Sequence, residues 1–317
     1  MQPALLCNPK YASFRKIKVG VVRGGLSAER RISLRSGRAV TRALRRIGVP
    51  VVPIDPADRT VFSRKVREAD LLFIALHGSG GEDGSIQAKL ERQRILFTGS
   101  PSVACRRSFD KLISKRHFER LGIPTPEYKV IDRKNWRTVA ARFPVPYFVK
   151  PLDGGSSQGV FLVEDFRNSA EKLRRSILRF GRLLIEKRIV GRELTAGLLG
   201  DLKLPVVEVR PSRPFYDYKA KYTAGMTVYE VPAKIPAMVA RKIQNIAWRV
   251  YRGLGLRGFS RVDVMLDRKN RPYVLEVNSI PGLTEFSLLP KAARSIGIGF
   301  EELCLRVLQD AWKRRKK

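Results

Sequence analysis

Three short apolar runs set the strongest limit on what this chain can fold into: IKVGVVR at 17–23, VPVVPID at 49–55 and LLFIALHG at 71–78. Each has the length of a strand, and the first and third break at glycines, Gly24-Gly25 and Gly78. Between the first two, Ile32, Val40, Leu44 and Ile47 recur at helical spacing, and Ser27 can cap the start of that helix. Strand and helix alternating in this way imply a parallel α/β layer with loops at the strand ends. This first unit is expected to cover 17–100. Residues 1–16, MQPALLCNPKYASFRK, lack the continuous apolar stretch of a secretory signal and are read as a flexible leader. No run in the chain is long enough to span a bilayer.

From Arg106 a single helix is expected through DKLISKRHFERLG, ending at Gly122-Ile123-Pro124. Strands at 127–131, 145–150, 159–163 and 182–187 around a helix at 165–179 make a second, smaller α+β unit covering 101–187. The third unit, 188–317, is expected to hold a strand at 204–210, an irregular stretch at 211–232 and a long helix at 233–254. In it FSRVDVMLD (259–267) and RPYVLEVN (271–278) read as a hairpin turning at Arg268-Lys269-Asn270. Phe300, Leu303, Val307 and Ala311 line one face of a closing helix. There is no internal repeat and no low-complexity segment.

Lys and Arg number 63 against 29 Asp and Glu, a net charge of +34. Such a surplus suits an anionic partner: nucleic acid, membrane headgroups or a phosphorylated substrate. The basic residues are spread along the chain, with only local peaks at RSGRAVTRALRR and WKRRKK. No RNA-binding aromatic signature or zinc finger accompanies them, so the expectation is a solvated basic surface or phosphate steering, not nucleic acid. Cys7, Cys105 and Cys304 are far apart and match no metal-ligand spacing.

Two stretches carry chemistry. In YFVKPLDGGSSQGV an apolar strand ends at Lys150 and runs into a loop of glycine and serine. Glycines let backbone N–H groups approach a ligand, the serines add hydroxyl donors, and Lys150 adds a charge. Together they describe a flap over an anion, most economically a nucleotide phosphate; a plain structural turn would explain the glycines alone. The Walker pattern is absent. In the hairpin, alternation sends Glu276 and Asn278 to one face, with Asp263 on the facing arm. Two carboxylates and a carboxamide form a hard oxygen site suited to magnesium or manganese bridging to phosphates, and Arg261 shares the face. The alternative is a charged, solvated face.

Taken in order, GGLSAERRISLRSG (24–37), ALHGSGGEDGSIQ (75–87), FDKLISK (109–115), KPLDGGSSQG (150–159), IEKRIVGRELT (185–195), FYDYKAKY (215–222), RVDVMLD (261–267) and EVNSIPGLTEFSLLP (276–290) resemble the D-alanine–D-alanine ligases of the ATP-grasp superfamily. The likeness runs from Ile17 to Trp312. It implies an ATP-grasp fold, with an N-terminal parallel-sheet domain, a small central α+β domain and a C-terminal α+β domain. The implied reaction is ATP-dependent joining of two D-alanines through a D-alanyl phosphate, for peptidoglycan precursor synthesis in the cytoplasm by a homodimer. Lys111, Lys150 and the loop serines Ser156 and Ser157 would hold ATP phosphates. Glu186, Lys187 and Ile189 would line the adenine slot, and Glu193 would take the ribose hydroxyls. Asp263, Glu276 and Asn278 would bind two magnesium or manganese ions. Arg261 and the Gly282 N–H would stabilise the oxyanion of the tetrahedral intermediate. Glu29, near His77, would hold the first D-alanine's ammonium; Ser287 and the Leu288 N–H would hold the second's carboxylate. Glu29, Ser156 and Tyr222 would latch the flap to the 211–232 loop, with Lys221 reaching the transferred phosphate.

Each residue has an ordinary reading too. Glu29 could be a first-turn acid, His77 a loop histidine, Tyr222 a packing aromatic, Lys221 a solvated charge, Ser287 an N-cap and Glu82-Asp83 a turn. Gly154 stands where relatives often carry an acid, and Ile280 and Phe286 differ from some relatives near the second substrate. Two competing readings are a different ATP-grasp carboxylate–amine ligase, including ones with D-lactate or D-serine acceptors, and a basic nucleic-acid binder on a degenerate nucleotide fold.

Overall fold

The computed structural model describes residues 4–155, 157–212, 223 and 225–316. Its first sheet is parallel: β1 (Val19–Val22), β2 (Val51–Ile54) and β3 (Leu71–Ile74) lie in the order β2-β1-β3. Every residue of β1 and β3 is buried, as strands covered on both faces must be. After β1 the backbone takes positive φ at Gly24 and Gly25, a conformation that disfavours side chains there, and turns into the Arg30–Arg46 helix. The expected start at Ser27 is corrected. Glu29 is the N-cap, and the Ser27 hydroxyl accepts from the Glu29 N–H while donating to the His77 carbonyl. Helices at Arg59–Arg67 and Ser85–Arg92 were not expected, because basic residues dilute their apolar periodicity.

The single helix expected from Arg106 is two helices, Ser102–Phe109 and Lys111–Arg120. Between them Asp110 is extended, and its carboxylate accepts from the Ile113 N–H at 2.9 Å, capping the second helix. The break has a consequence for the site: the Lys111 N–H bonds the Leu152 carbonyl at 2.8 Å, tying this helix to the start of the glycine loop.

The second sheet is antiparallel, in the order β4-β7-β5-β6, from β4 (Tyr128–Asp132), β5 (Tyr147–Pro151), β6 (Phe161–Val163) and β7 (Arg182–Lys187). The Phe166–Phe180 helix, capped by Asp165, buries Leu173 and Ile177 against it. The third sheet is antiparallel too, in the order β11-β10-β8-β12-β13, with β9 on β8. It consists of β8 (Gly191–Leu199), β9 (Leu202–Lys203), β10 (Val207–Pro211), β11 (Thr227–Glu230), β12 (Phe259–Asp267) and β13 (Pro272–Asn278). The Ala237–Leu254 helix starts later than the expected 233, behind Pro236, and buries Ile243, Ile246, Val250 and Leu254.

The N-terminal segment packs rather than hanging free. Leu6, Tyr11 and Phe14 are buried in the same core as β1 and β3, and the Phe14 ring lies 6.3 Å from that of Trp312. The Phe300–Lys313 helix, which carries Trp312, also packs on the Arg30–Arg46 helix and on β3. The charge surplus is at the surface. Arg31, Arg35, Arg38 and Arg42 follow one another at helical spacing on the exposed face of Arg30–Arg46.

Candidate active site

The β12–β13 register pairs Arg261 with Asn278 and Asp263 with Glu276, followed by a bulge between Asp263 and Val264. Residues directly opposite in an antiparallel pair share a face, so these four side chains point the same way while Val262 and Val264 face the core. Arg261 forks onto Asp263, Nε to Oδ1 and Nη2 to Oδ2, each at 2.8 Å. Thr195 on β8 donates to the same carboxylate at 2.6 Å, and Asn278 Nδ2 lies 3.3 Å from its Oδ2. Asp263 is thus held firmly in orientation. Among the described residues no cluster of three or more His, Cys, Asp or Glu side chains could hold a metal. The hairpin supplies two carboxylates and one carboxamide, which fits a hard divalent ion whose remaining ligands are phosphate oxygens and water.

Behind the glycine loop lies a buried charge cluster. Lys150 is the penultimate residue of β5 and Glu186 sits on the neighbouring β7. Both Lys150 and Lys115, the latter from the Lys111–Arg120 helix, pair with the Glu186 carboxylate. The side chains of Glu186 and Lys115 are each 1% exposed, that of Lys150 13%. Burial would push the Glu186 carboxyl up, but the two lysines hold it below the usual carboxylate range. Lys115 is pushed down by burial despite Glu186, whereas Lys150 ends above its ordinary value because Glu186 outweighs its own desolvation. Lys111, one turn before Lys115, reaches the loop directly, its Nζ donating to the Gly154 carbonyl at 2.8 Å.

Two cavities flank this machinery. The first, of about 440 Å³, is lined by Lys111, Lys150, Ser157, Glu186, Lys187, Ile189 and Glu193, the described residues expected around ATP, and by two expected metal ligands, Asp263 and Glu276. Its far wall carries a feature that motif reading missed. Glu208 on β10 is clasped by Arg192 at 2.8 and 2.6 Å and by Arg210 at 2.7 Å. Hydrogen bonds from Arg192, helped by Arg210, hold its carboxyl down to about 2 against the opposing effect of burial.

The second cavity, of about 420 Å³, is lined by Glu29, His77, Arg261, Asn278, Gly282, Ser287 and Leu288. Here His77 is buried between Ser36 Oγ, 2.9 Å from Nε2, and Glu82 Oε1, 3.2 Å from Nδ1. Glu82 therefore braces the site. Asp83, in contrast, serves a turn by accepting from Gly80 and Ser85. Ser287 precedes the Leu288–Arg294 helix, but its hydroxyl turns to Thr284, 3.1 Å from the amide and 2.9 Å from Oγ1, and makes no capping bond. Ile280 is buried, while Phe286 lies exposed at the cavity edge.

Lys111, Gly154, Gly155 and Glu276 line both cavities. A Cβ built on Gly155 would stand 2.7 Å from Glu29 Oε1, so a side chain there would push that carboxylate aside. Ser156, Lys221 and Tyr222, expected to form the latch and to reach the transferred phosphate, lie outside the described residues. Lys115 was absent from the motif reading. The available signal was the i, i+4 spacing of the two lysines in DKLISK, which sets Lys115 on the face of Lys111.

The family profile described as "D-ala D-ala ligase C-terminus" matches residues 117–309. The chain is 42% identical over 306 residues to the D-alanine–D-alanine ligase of Desulforudis audaxviator, covering 94% of this chain and 99% of that one. To the corresponding ligase of Geotalea uraniireducens it is 42% identical over 296 residues, covering 93% and 95%. Among solved structures it is similar to the D-alanine–D-alanine ligase of Bacillus anthracis complexed with ATP, with a TM-score of 0.83, 30% identity and coverage of 95% and 99%. It is also similar to the VanG D-Ala:D-Ser ligase of Enterococcus faecalis, with a TM-score of 0.79, 26% identity and coverage of 92% and 98%.

Proposed function

The chain belongs to the D-alanine–D-alanine ligase family and has its ATP-grasp fold, and from that premise we infer that it joins two D-alanines at the expense of ATP, for peptidoglycan precursor synthesis. The observation that carries this reading is the shared rim: Lys111, Glu276 and the glycine loop border both cavities. A nucleotide in one and an amino acid in the other would meet there, γ-phosphate against carboxylate.

A carboxylate is a poor electrophile, so an oxygen of the first D-alanine attacks the γ-phosphorus and the bond to ADP breaks. The second D-alanine's amine then attacks the acyl carbon. Phosphate leaves with the oxygen it gained, and the amine loses a proton. Phosphoryl transfer depends on positioning and charge neutralisation more than on covalent help. In this proposal Lys111 and Lys150 hold the phosphates, Ser156 and Ser157 close over them, Glu186, Lys187 and Ile189 line the base, and Glu193 takes the ribose hydroxyls. Glu29 holds the first ammonium beside His77, while Ser287 and the Leu288 N–H hold the second carboxylate. Arg261 and the Gly282 N–H face the oxyanion. Asp263, Glu276 and Asn278 would hold two magnesium or manganese ions, whose positive charge spreads over the phosphates when bound. The Glu29–Ser156–Tyr222 latch, with Lys221, keeps water from the acyl phosphate.

Unit boundaries near 100 and 188, a homodimer and a cytoplasmic location are part of the same proposal. Among the described residues no helix is long and apolar enough to cross a membrane. The test is ADP release with ATP, magnesium and D-alanine. The proposal expects stimulation by D-alanine and none by L-alanine, with D-serine and D-lactate as weaker acceptors. Folded protein that D-alanine does not stimulate would overturn it.

A further inference from the structure

We propose that Lys115 is a positioning residue: a resident counter-ion that keeps Glu186 neutralised, so that Lys150 can leave that carboxylate for a nucleotide phosphate. The inference rests on the ATP-dependent reading above.

Glu186 carries two cations, and they are not equivalent. Lys150 lines the nucleotide cavity, with part of its side chain exposed. Lys115 lines neither cavity. Its ammonium is enclosed by the Thr125 hydroxyl, which itself donates to the Val274 carbonyl at 2.7 Å, and by the Tyr128 ring, 5.9 Å from Nζ to centroid. One lysine can therefore turn to a ligand, and the other is fixed.

The charge balance explains why both are needed. A buried carboxylate with a single cation makes a neutral pair that resists separation, because breaking it strands a charge away from water. Had Glu186 only Lys150, each ATP that drew the lysine away would leave that carboxylate uncompensated. With Lys115 in place the carboxylate stays paired while Lys150 shifts its bonds. The cluster of two cations and one anion carries one surplus positive charge, and an incoming polyphosphate neutralises it. Glu193 and Glu276 also act on Lys150, and Glu276 on Lys115, but more weakly than Glu186 does.

The test is a double-mutant cycle on the full chain: Lys115→Met, Glu186→Gln and the pair, with MgATP dissociation constants from equilibrium dialysis and melting by circular dichroism as the folding check. Lys115→Met should weaken ATP binding by roughly 10- to 100-fold and leave the KM for D-alanine within about twofold. Lys115→Arg, which keeps the charge, should bind ATP within about threefold of wild type. In the Glu186→Gln background, Lys115→Met should change ATP affinity by less than about threefold, since no carboxylate is left to neutralise. Additive losses, an unchanged affinity in Lys115→Met, or equal loss in Lys115→Arg would overturn the proposal. Should Lys115→Met not fold, the double variant against Glu186→Gln carries the test, and a difference above about tenfold would overturn it. Wild type that binds ATP but ignores D-alanine would end the functional reading and leave this cycle interpretable. A D-alanine-stimulated wild type with a flat cycle would end this inference alone.

Discussion

The two cavities share a rim but are built differently. The cavity proposed for the nucleotide is walled by strands of two sheets, and two of its acids are compensated in advance, Glu186 by two lysines and Glu208 by two arginines. The cavity proposed for the amino acids draws on the loops after β1, β3 and β13, and it is ordered by short hydrogen-bond chains such as Ser36–His77–Glu82 and Thr284–Ser287. The contrast suits the ligands. A polyphosphate brings several charges that must find fixed partners, whereas an amino acid brings one charge of each sign and needs its ends held apart. Electrostatic strength is concentrated on one side of the glycine loop and orientation on the other.

The largest effect should come from the rim itself. Glu276→Gln should lower kcat by about 10³-fold or more while leaving the melting temperature nearly unchanged, because it removes charge where both ligands meet. Turnover within tenfold of wild type would remove Glu276 from the chemistry and dissolve the rim as the point of contact. Arg261→Met should cost about 10²- to 10³-fold in kcat with ATP affinity little altered, as an oxyanion donor would. A loss confined to ATP binding would instead assign Arg261 to the nucleotide side. Glu29→Gln should raise the KM for D-alanine by roughly 10- to 100-fold at constant ATP affinity. Parallel losses in both constants would show that the cavities are not separable.

The smallest effect concerns stability. The Glu208 carboxyl titrates near 2 in the folded chain, against an ordinary value of 4.5. Its folded value is the lower one, so the stabilisation is fully present above about 4.5 and disappears as the pH falls toward 2. Urea melts of wild type and Glu208→Gln should differ by on the order of 1–3 kcal/mol from pH 7 to 5, converging below pH 4.5. A gap that stays constant down to pH 3 would mean that the arginines do not depress this carboxyl.

The same contrast governs what the sequence makes legible. In the β12–β13 hairpin alternation puts Glu276 and Asn278 on one face without a structure. Counting back from the turn, however, would set Asp263 opposite Leu275, and only the bulge between the Val264–Val274 and Asp263–Glu276 pairs brings Asp263 to their face. Strand β8 cannot be read that way. Its last six residues are all buried and so do not alternate, and it holds two glycines where neighbours press in. A Cβ on Gly191 would lie 1.9 Å from the Leu266 carbonyl oxygen, and one on Gly197 2.6 Å from Leu289. The helix break at Asp110 is a local capping choice that competes with an unbroken apolar pattern. Glu29, His77 and Ser287 come together only through tertiary assembly of distant loops. Each has an adequate local explanation, and resemblance, not spacing, grouped them. Lys115 shows in the sequence only as a lysine one turn after Lys111; its pairing with Glu186 is set by tertiary packing.

The central claim is that a carboxylate in one cavity attacks the γ-phosphate presented by the other. Running the reaction with D-alanine labelled with oxygen-18 in its carboxylate, and weighing the released phosphate, tests this directly. The account predicts one labelled oxygen in the phosphate for each dipeptide made. Dipeptide and ADP formed with unlabelled phosphate would contradict it.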